Sequence, residues 1–304
     1  MNDVILLEEL AASGFEARIA SIGSVCKIQD ELFSLRESGV IDTQLFDEYK
    51  QSMIYDYKNI MPEARSVIVM AHPHYSSKLE FIYNSRRHEV VMPPTYIGSA
   101  MLMKAEAALE RILATNEFSI KYARLPLKLL AARTGLSRYG RNNIAYVEGM
   151  GSYHRLFAYY TDYQCQSDEL TDITTMQECS SCKVCLNACP TGCIDESRFL
   201  IHAENCITYF NEVERDFPTW LRKDWHNAIV GCMKCQTKCP VNSPYKNKLE
   251  NEFVFEQDET AAILAKTPFD GLSASTRMKL EALDMKNYYN VLKRNLSVLI
   301  CSEV

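Results

Sequence analysis

The sequence predicts a mixed α/β (α+β) protein in which a domain of helices and strands precedes a cysteine-rich module. Helix-like and strand-like patterns alternate through the first part of the chain, and nine of the twelve cysteines fall between residues 179 and 239. The chain has 304 residues, 47% of them hydrophobic, which is enough for two ordinary domains. We therefore predict an α/β domain at 1–165, a linker at 166–178, a cysteine module at 179–250 and a helical tail at 251–304.

Hydrophobic periodicity locates the elements of the first domain. It predicts helices at 3–12, 28–39, 96–117 and 125–135, and strands at 15–23, 64–72, 143–149 and 153–163. The clearest helix is 96–117, where one face collects the apolar residues Leu102, Ala105, Leu109, Ile112 and Leu113. In the last helix, Pro126 suits the first turn and Gly135 suits the C-terminal cap.

Composition and charge restrict the function classes. The charged fraction of 24% and the mean hydropathy of −0.19 are typical of a folded soluble protein. No apolar stretch approaches the roughly 20 residues of a membrane-spanning helix, and residues 1–14 lack the features of a secretion signal. We therefore expect a cytoplasmic protein, without a membrane partner, whose clustered cysteines serve metal binding or catalysis. The formal net charge of −6 gives no general attraction to nucleic acid.

The cysteine spacing carries the strongest functional signal. Cys179, Cys182, Cys185 and Cys189, followed by Pro190, form the CxxCxxCxxxCP run of bacterial ferredoxins, which holds a [4Fe-4S] cluster. Two-residue gaps let three thiolates reach three corners of one cluster, whereas the fourth cysteine serves the other cluster in two-cluster ferredoxins. A second run, CxxCxxxCP, starts at Cys232 and lacks its first cysteine.

The missing ligand has two candidates, Cys193 and Cys206. We favour Cys206, because Cys193 follows Cys189 so closely that its side chain is expected to point into the core. The predicted ligand sets are Cys179, Cys182, Cys185 and Cys239 for the first cluster, and Cys189, Cys206, Cys232 and Cys235 for the second cluster.

Zinc is the alternative, since CxxC pairs also build tetrahedral zinc sites. The tight CxxCxxC triplet and the proline after both final cysteines favour two [4Fe-4S] clusters. Such clusters transfer single electrons, so we expect a redox donor such as a ferredoxin or a flavodoxin, and an acceptor.

Residues 118–147 carry six basic side chains and no acidic one. The six are Lys121, Arg124, Lys128, Arg133, Arg138 and Arg141. The segment is either an anion-binding face or a solvated face balanced by acids elsewhere in the fold, and the sequence does not decide between the two.

The order of these motifs resembles a known family. CSSCKVCLNACPTG, ENCITYFNE and GCMKCQTKCPVN look like the ferredoxin module of epoxyqueuosine reductases, which are related to reductive dehalogenases. Upstream, LAARTGLSRYGRNNIAYVEGMGSYHRLF and ARSVIVMAH are similar to segments of the same family, and LKRNLSVLI resembles the start of its C-terminal helical repeats.

The resemblance implies a nitroreductase-like N-terminal domain that binds cobalamin and receives electrons from the two clusters. It places Arg141, Asn142, Gly151 and Ser152 near the corrin ring. We expect a short relative without the C-terminal repeats.

The family's catalytic aspartate has no counterpart here. The corresponding place falls near Lys121 and Tyr122, and no carboxylate lies between Glu117 and Glu148. Lys121, Tyr122 and Tyr139 are the remaining candidate proton donors.

We therefore expect a cobalamin-dependent iron–sulfur reductase that acts on a small-molecule or protein-bound substrate rather than on tRNA. The alternatives are a non-catalytic electron-transfer protein that reduces a partner's corrinoid or metal centre, and a genuine epoxyqueuosine reductase.

Overall fold

The structure is a computed structural model that describes residues 2–50, 57–166 and 170–301. Its strands are β1 Glu16–Ser21, β2 Ser66–Pro73, β3 Ser76–Tyr83, β4 Arg86–Met92, β5 Ile120–Tyr122, β6 Arg138–Tyr139, β7 Ala145–Tyr146, β8 His154–Thr161 and β9 Leu249–Phe255. Its α-helices are α1 Asp3–Ala12, α2 Ile22–Glu37, α3 Thr43–Lys50, α4 Tyr57–Ile60, α5 Ser99–Ala114, α6 Leu127–Arg133, α7 Val184–Ala188, α8 Ile207–Glu212, α9 Lys234–Lys238, α10 Gln257–Leu264, α11 Ala274–Ala282 and α12 Tyr289–Cys301. In the described part of the chain, no helix has the length and apolar character needed to cross a membrane.

The chain divides into two compact units. The first comprises Met1–Pro73, Ala100–Cys182 and Asp195–His202, and the second comprises His74–Ser99, Lys183–Ile194 and Ala203–Val304.

The first unit is built on a four-stranded antiparallel sheet in the order β1-β2-β8-β5. Successive side chains of a strand point to opposite faces, and both faces of this sheet are buried. Val67 and Val69 of β2 belong to one core, whereas Ile68 and Met70 belong to the other. The unit is therefore a three-layer arrangement, which agrees with the predicted mixed α/β class.

Helices cover both faces of this sheet. Val25 of α2 and Leu130 of α6 pack into the core that contains Val67. Leu10 of α1 and Leu109 of α5 pack into the opposite core. The apolar face predicted for 96–117 is thus the buried face of α5.

The second unit contains a sheet in the order β4-β3-β9. Strands β3 and β4 form a hairpin whose two turn residues, Asn84 and Ser85, both have positive φ, as a two-residue type I′ turn requires. Strand β9 runs parallel to β3, and Phe255 stacks on Phe81 at a ring distance of 4.7 Å. Helices α10, α11 and α12 contribute Ile263, Leu280, Leu292 and Leu296 to the same core.

Most predicted elements of the first domain are confirmed. Helix α1 matches the prediction at 3–12, and β2 and β8 occupy the predicted buried strands. Helix α2 begins at Ile22 rather than at residue 28, because Val25 and Ile28 continue its buried face. The strand predicted at 143–149 is reduced to β7.

The compact units differ from the linear division predicted from the sequence. Residues 74–99 belong to the second unit, because the β3–β4 hairpin pairs with β9 and packs against the C-terminal helices. The predicted helical tail also begins with most of β9. Within the predicted linker, residues 167–169 lie outside the described residues, whereas the Thr171 and Met176 amides donate hydrogen bonds to the carbonyls of Arg133 and Tyr139.

Candidate metal centre

Helices α7 and α9 of the second unit carry the last two cysteines of each cysteine run in the same way. Each helix has a cysteine at its second position, Cys185 or Cys235, and ends at a cysteine, Cys189 or Cys239. Proline follows each terminal cysteine, and a proline in the next position opposes continuation of the helix. The two helices pack against each other. The repeated CxxxCP sequence therefore folds as a repeated structural unit.

Cys193 lies between two predicted cluster ligands. Its Sγ atom lies 3.4 Å from that of Cys189 and also hydrogen-bonds to Cys206. These bonds lower the pKa of Cys189 to about 5, lower that of Cys206, and raise that of Cys193. Both candidates for the missing ligand thus lie at the same site, which the sequence did not predict.

Cys232 is held by the segment that precedes it. The side-chain amide of Asn227 donates to Cys232 Sγ at 3.2 Å, and Asn227 Oδ1 accepts from the Met233 amide at 2.8 Å. Burial raises the pKa of Cys232 to about 11. Gly231 has a φ of +68°, and a Cβ at this position would overlap the Tyr96 ring. A glycine is therefore required directly before this cysteine.

Arg141 holds the loop that contains the first two cysteines. Its backbone amide donates to Cys179 Sγ at 3.4 Å. Its guanidinium donates to the carbonyls of Cys179 and Cys182 at 2.6 and 3.0 Å. Arg141 thus contacts the cysteine loop, and the corrin contact that the resemblance implies for it stays a prediction.

Of the other predicted corrin contacts, Asn142 has partners within the β6–β7 turn. Its Nδ2 donates to the Tyr146 hydroxyl at 3.1 Å, and its Oδ1 accepts from the Ile144 amide at 3.3 Å. Gly151 has a φ of +58° and bridges to Val147. Ser152, the last of the four, is buried.

The candidate proton donors lie in different environments. Lys121 and Tyr122 are exposed neighbours on β5, and they point to opposite faces of the sheet. Tyr139 is buried in the β6–β7 ribbon against Phe199, and burial raises its pKa above the usual range. Although Lys121 and Tyr122 are adjacent in the sequence, their side chains therefore do not share one site.

Half of the basic segment has partners in the fold. Arg133 pairs with Glu31 at 2.8 Å, Lys128 donates to the Asn143 carbonyl, and Arg141 holds the cysteine loop. An acidic partner elsewhere in the fold thus balances the charge of Arg133. Lys121, Arg124 and Arg138 are exposed to solvent, where they could meet an anion.

Buried polar atoms without a partner occur close together in the sequence of the first unit. Among the described residues, these include Ser137 Oγ, Asn143 Nδ2 and His154 Nδ1. His154 Nε2 contacts the Ala145 carbonyl at 3.1 Å, and burial lowers its pKa to about 4. Buried polar atoms in native proteins normally have partners, so residues 137–154 fit a polar ligand.

The cysteine site has the donor chemistry of an iron–sulfur centre. The thiols of Cys189, Cys193 and Cys206 gather within a mostly buried site, and thiolate sulfur is the ligand that iron–sulfur clusters use. No group of three or more His, Cys, Asp or Glu among the described residues is arranged to hold a single metal ion. A four-iron cluster is larger than one ion and takes one thiolate at each corner.

Comparison with known proteins agrees with this chemistry. Residues 178–242 match the family of 4Fe-4S double cluster binding domains. Epoxyqueuosine reductase from Burkholderia pseudomallei is 33% identical over 119 residues, which are 37% of this chain and 29% of that protein. Over this segment the chain is similar to epoxyqueuosine reductases. The matched segment spans less than a third of the Burkholderia protein.

Solved epoxyqueuosine reductases share the fold. The structure from Streptococcus thermophilus is 19% identical with a TM-score of 0.66, covering 98% of this chain and 80% of that one. An epoxyqueuosine reductase solved with a tRNA-Tyr epoxyqueuosine-modified stem loop is 19% identical with a TM-score of 0.64, over the same shares of the two chains. The predicted fold class and the double cluster domain are therefore confirmed.

Proposed function

We propose that this protein is an iron–sulfur oxidoreductase that passes single electrons through two [4Fe-4S] clusters to a cobalamin, for a reductive reaction in the cytoplasm. The observation that carries the proposal is the double cluster binding domain at 178–242, together with thiols that gather at one site of the second unit. The proposed ligand sets remain Cys179, Cys182, Cys185 and Cys239 for one cluster and Cys189, Cys206, Cys232 and Cys235 for the other.

The chain's own residues have distinct parts in this scheme. Arg141 fixes the backbone of the first two ligands, since it donates to the carbonyls of Cys179 and Cys182. Asn227 holds Cys232 and orders the amide that follows it. Hydrogen bonds to the sulfurs of a cluster tune its reduction potential, and the Arg141 amide and the Asn227 side chain each donate one, to Cys179 Sγ and Cys232 Sγ.

Cobalamin is proposed from the family resemblance and from the buried polar atoms of residues 137–154. A bound corrin with polar side groups could supply partners for Ser137 Oγ, Asn143 Nδ2 and His154 Nδ1. When bound, it would supply a cobalt centre that accepts the electrons. The residues proposed near the corrin remain the four that the resemblance implies, which are Arg141, Asn142, Gly151 and Ser152.

Anaerobic titration with cob(II)alamin tests this part of the proposal. We expect a change in the visible spectrum of the corrin and its co-elution with the protein through gel filtration. An unchanged spectrum with no retained cobalt excludes a cobalamin site.

A non-catalytic electron carrier is the second candidate. It is favoured by the absence of a carboxylate between Glu117 and Glu148 and by the exposed position of Lys121 and Tyr122 on β5. This carrier would bind both clusters, retain no corrin, and reduce the corrinoid of a partner protein under anaerobic conditions.

Action on tRNA is the third candidate, since a relative of the same fold was solved with a tRNA stem loop. Restoration of queuosine in a strain that lacks epoxyqueuosine reductase tests it. We expect no restoration, because the chain has no counterpart of the family's catalytic aspartate.

A further inference from the structure

Residues 207–231 connect two predicted ligands of the second cluster, Cys206 and Cys232. The segment starts with α8 and ends at Gly231. For both cysteines to reach the same cluster, the two ends of this segment must be held at a fixed separation. The contacts that hold them come from α12, near the C-terminal end of the described residues.

A single side-chain amide of α12 joins the two ends. Asn295 is 1% exposed, and its Nδ2 donates to the carbonyl of Asn211 and to the carbonyl of Ile229, each at 2.9 Å. Asn211 belongs to the helix that follows Cys206, and Ile229 lies three residues before Cys232. Both amide hydrogens of Asn295 therefore connect the segment that follows Cys206 to the segment that precedes Cys232.

Asn211 extends the connection to the residue next to the ligand. Its side chain is fully buried, and its Nδ2 donates to the Gly231 carbonyl at 2.8 Å. Gly231 is also confined by Tyr96, which leaves no room for a Cβ. The position of Cys232 is thus coupled through two amides to α12.

Arg294 orients this bridge. Its guanidinium donates to Asn295 Oδ1 at 2.9 and 3.1 Å, which directs both Asn295 hydrogens to the carbonyls. It also donates to the carbonyls of Phe210 at 2.8 Å and Val213 at 2.9 Å, and lies 4.1 Å from the centroid of the Phe217 ring. A planar group with five donors suits this array of carbonyls, whereas the single ammonium of a lysine does not.

We propose that Asn295 and Arg294 are positioning residues for the second cluster, and that α12 sets the separation of Cys206 and Cys232. The inference rests on the proposed ligand set of that cluster. Because ligand placement and hydrogen bonding set the potential of an iron–sulfur cluster, loosening the bridge changes the second cluster and leaves the first cluster intact.

The test compares Asn295→Asp with Asn287→Asp in anaerobically purified full-length protein. Asn295→Asp keeps the size of the side chain but replaces the NH2 group with an oxygen. This oxygen cannot donate to the carbonyls of Asn211 and Ile229. Asn287 is exposed and lies outside the bridge, so it controls for the chemical change. Iron content and potentiometric titration by electron paramagnetic resonance are the readouts, with Cys182→Ser identifying the signal of the first cluster.

We expect Asn295→Asp to lose the second cluster or to change its reduction equilibrium at least tenfold, which is 59 mV for one electron. The first cluster and the Asn287→Asp protein should match the wild type. Two clusters with wild-type potentials in Asn295→Asp overturn the inference, and so does equal damage to both clusters.

Arg294→Lys keeps the inference testable if Asn295→Asp does not fold. We expect a smaller change that is again confined to the second cluster, because the lysine retains the charge but loses the planar fork. A wild-type second cluster in a folded Arg294→Lys protein contradicts the inference. If the wild-type protein itself contains no clusters, the proposed function fails. If the wild-type protein contains both clusters, the variants test only the inference about Asn295 and Arg294.

Discussion

The Sγ atoms of Cys189 and Cys193 lie 3.4 Å apart, and Cys193 also hydrogen-bonds to Cys206. Cys193 is thus a fifth thiol at the site proposed for the second cluster. The hydrogen bonds among the three thiols lower the pKa of Cys189 and Cys206, the two members of this group that we propose as ligands of the second cluster. The same bonds raise the pKa of Cys193.

Replacement of the two candidate ligands by serine distinguishes them. We expect Cys206→Ser to lose about half of the bound iron, because a cluster then lacks one thiolate. Cys193→Ser should retain both clusters, since its hydroxyl can still donate to Cys189. Iron and sulfide analysis after anaerobic purification provides the measurement. The reverse pattern would make Cys193 the ligand.

Removal of Arg141 should affect the first cluster. Arg141→Ala removes two guanidinium bonds to the carbonyls of Cys179 and Cys182. We expect the first cluster to be lost several-fold faster in air, because its loop is no longer held. Arg138→Ala is the control, since Arg138 is exposed in the neighbouring strand. Equal rates of bleaching of the visible cluster absorption in the two variants would argue against this role.

Exposed lysines near the second cysteine run should guide the electron donor. Residues 225–249 contain four lysines and no acidic residue. Lys238 and Lys246 are exposed, and a basic surface attracts an acidic carrier such as flavodoxin.

We expect the double variant Lys238→Glu with Lys246→Glu to slow the second-order reduction by reduced flavodoxin about tenfold at low salt, by loss of this attraction. The difference should shrink at high ionic strength. Lys293→Glu, an exposed change on α12, provides the control. Stopped-flow rates that are equal for the double variant and the wild type would place the docking surface elsewhere.

The buried His154 should make stability depend on pH. Burial lowers its pKa from 6.5 to about 4, so the unfolded chain binds more protons than the folded chain between these values. The contribution of His154 to the free energy of unfolding is therefore complete above pH 6.5 and is lost as the pH decreases toward 4.

His154→Gln keeps a donor for the Ala145 carbonyl but does not titrate. Over this window, we expect the slope of unfolding free energy against pH to be smaller in the variant, by at most about 1.4 kcal/mol per unit. Urea unfolding followed by tyrosine absorption at several pH values measures the slope. Identical slopes would show that His154 is not the group responsible.

The sequence predicted the central sheet and its helices well because their signals are local. Strand β2 is a continuous apolar run, and α5 carries a strong apolar stripe. The β3–β4 hairpin was missed although Leu79 and Phe81 alternate and Asn84 marks the turn. Strand β9 could not be found in the same way, since its partner lies far away in the sequence.

The cysteine runs were recognisable because the spacing itself encodes the chemistry. The contacts around them were not recognisable. The guanidinium of Arg141 donates to the backbone carbonyls of Cys179 and Cys182, and no side-chain pattern in the sequence reports such contacts. Asn295 is a polar residue in an amphipathic helix, and only the fold shows that it is buried between two carbonyls.

We propose that two clusters deliver electrons to a cobalamin in one chain. Anaerobically purified protein, mixed with cob(II)alamin and passed through gel filtration, tests it by joint analysis of iron, sulfide and cobalt. We predict about eight iron, about eight sulfide and about one cobalt per chain. Two clusters without cobalt would contradict the cobalamin site and support the electron carrier, and zinc in place of iron would contradict both iron–sulfur clusters and the electron transfer through them.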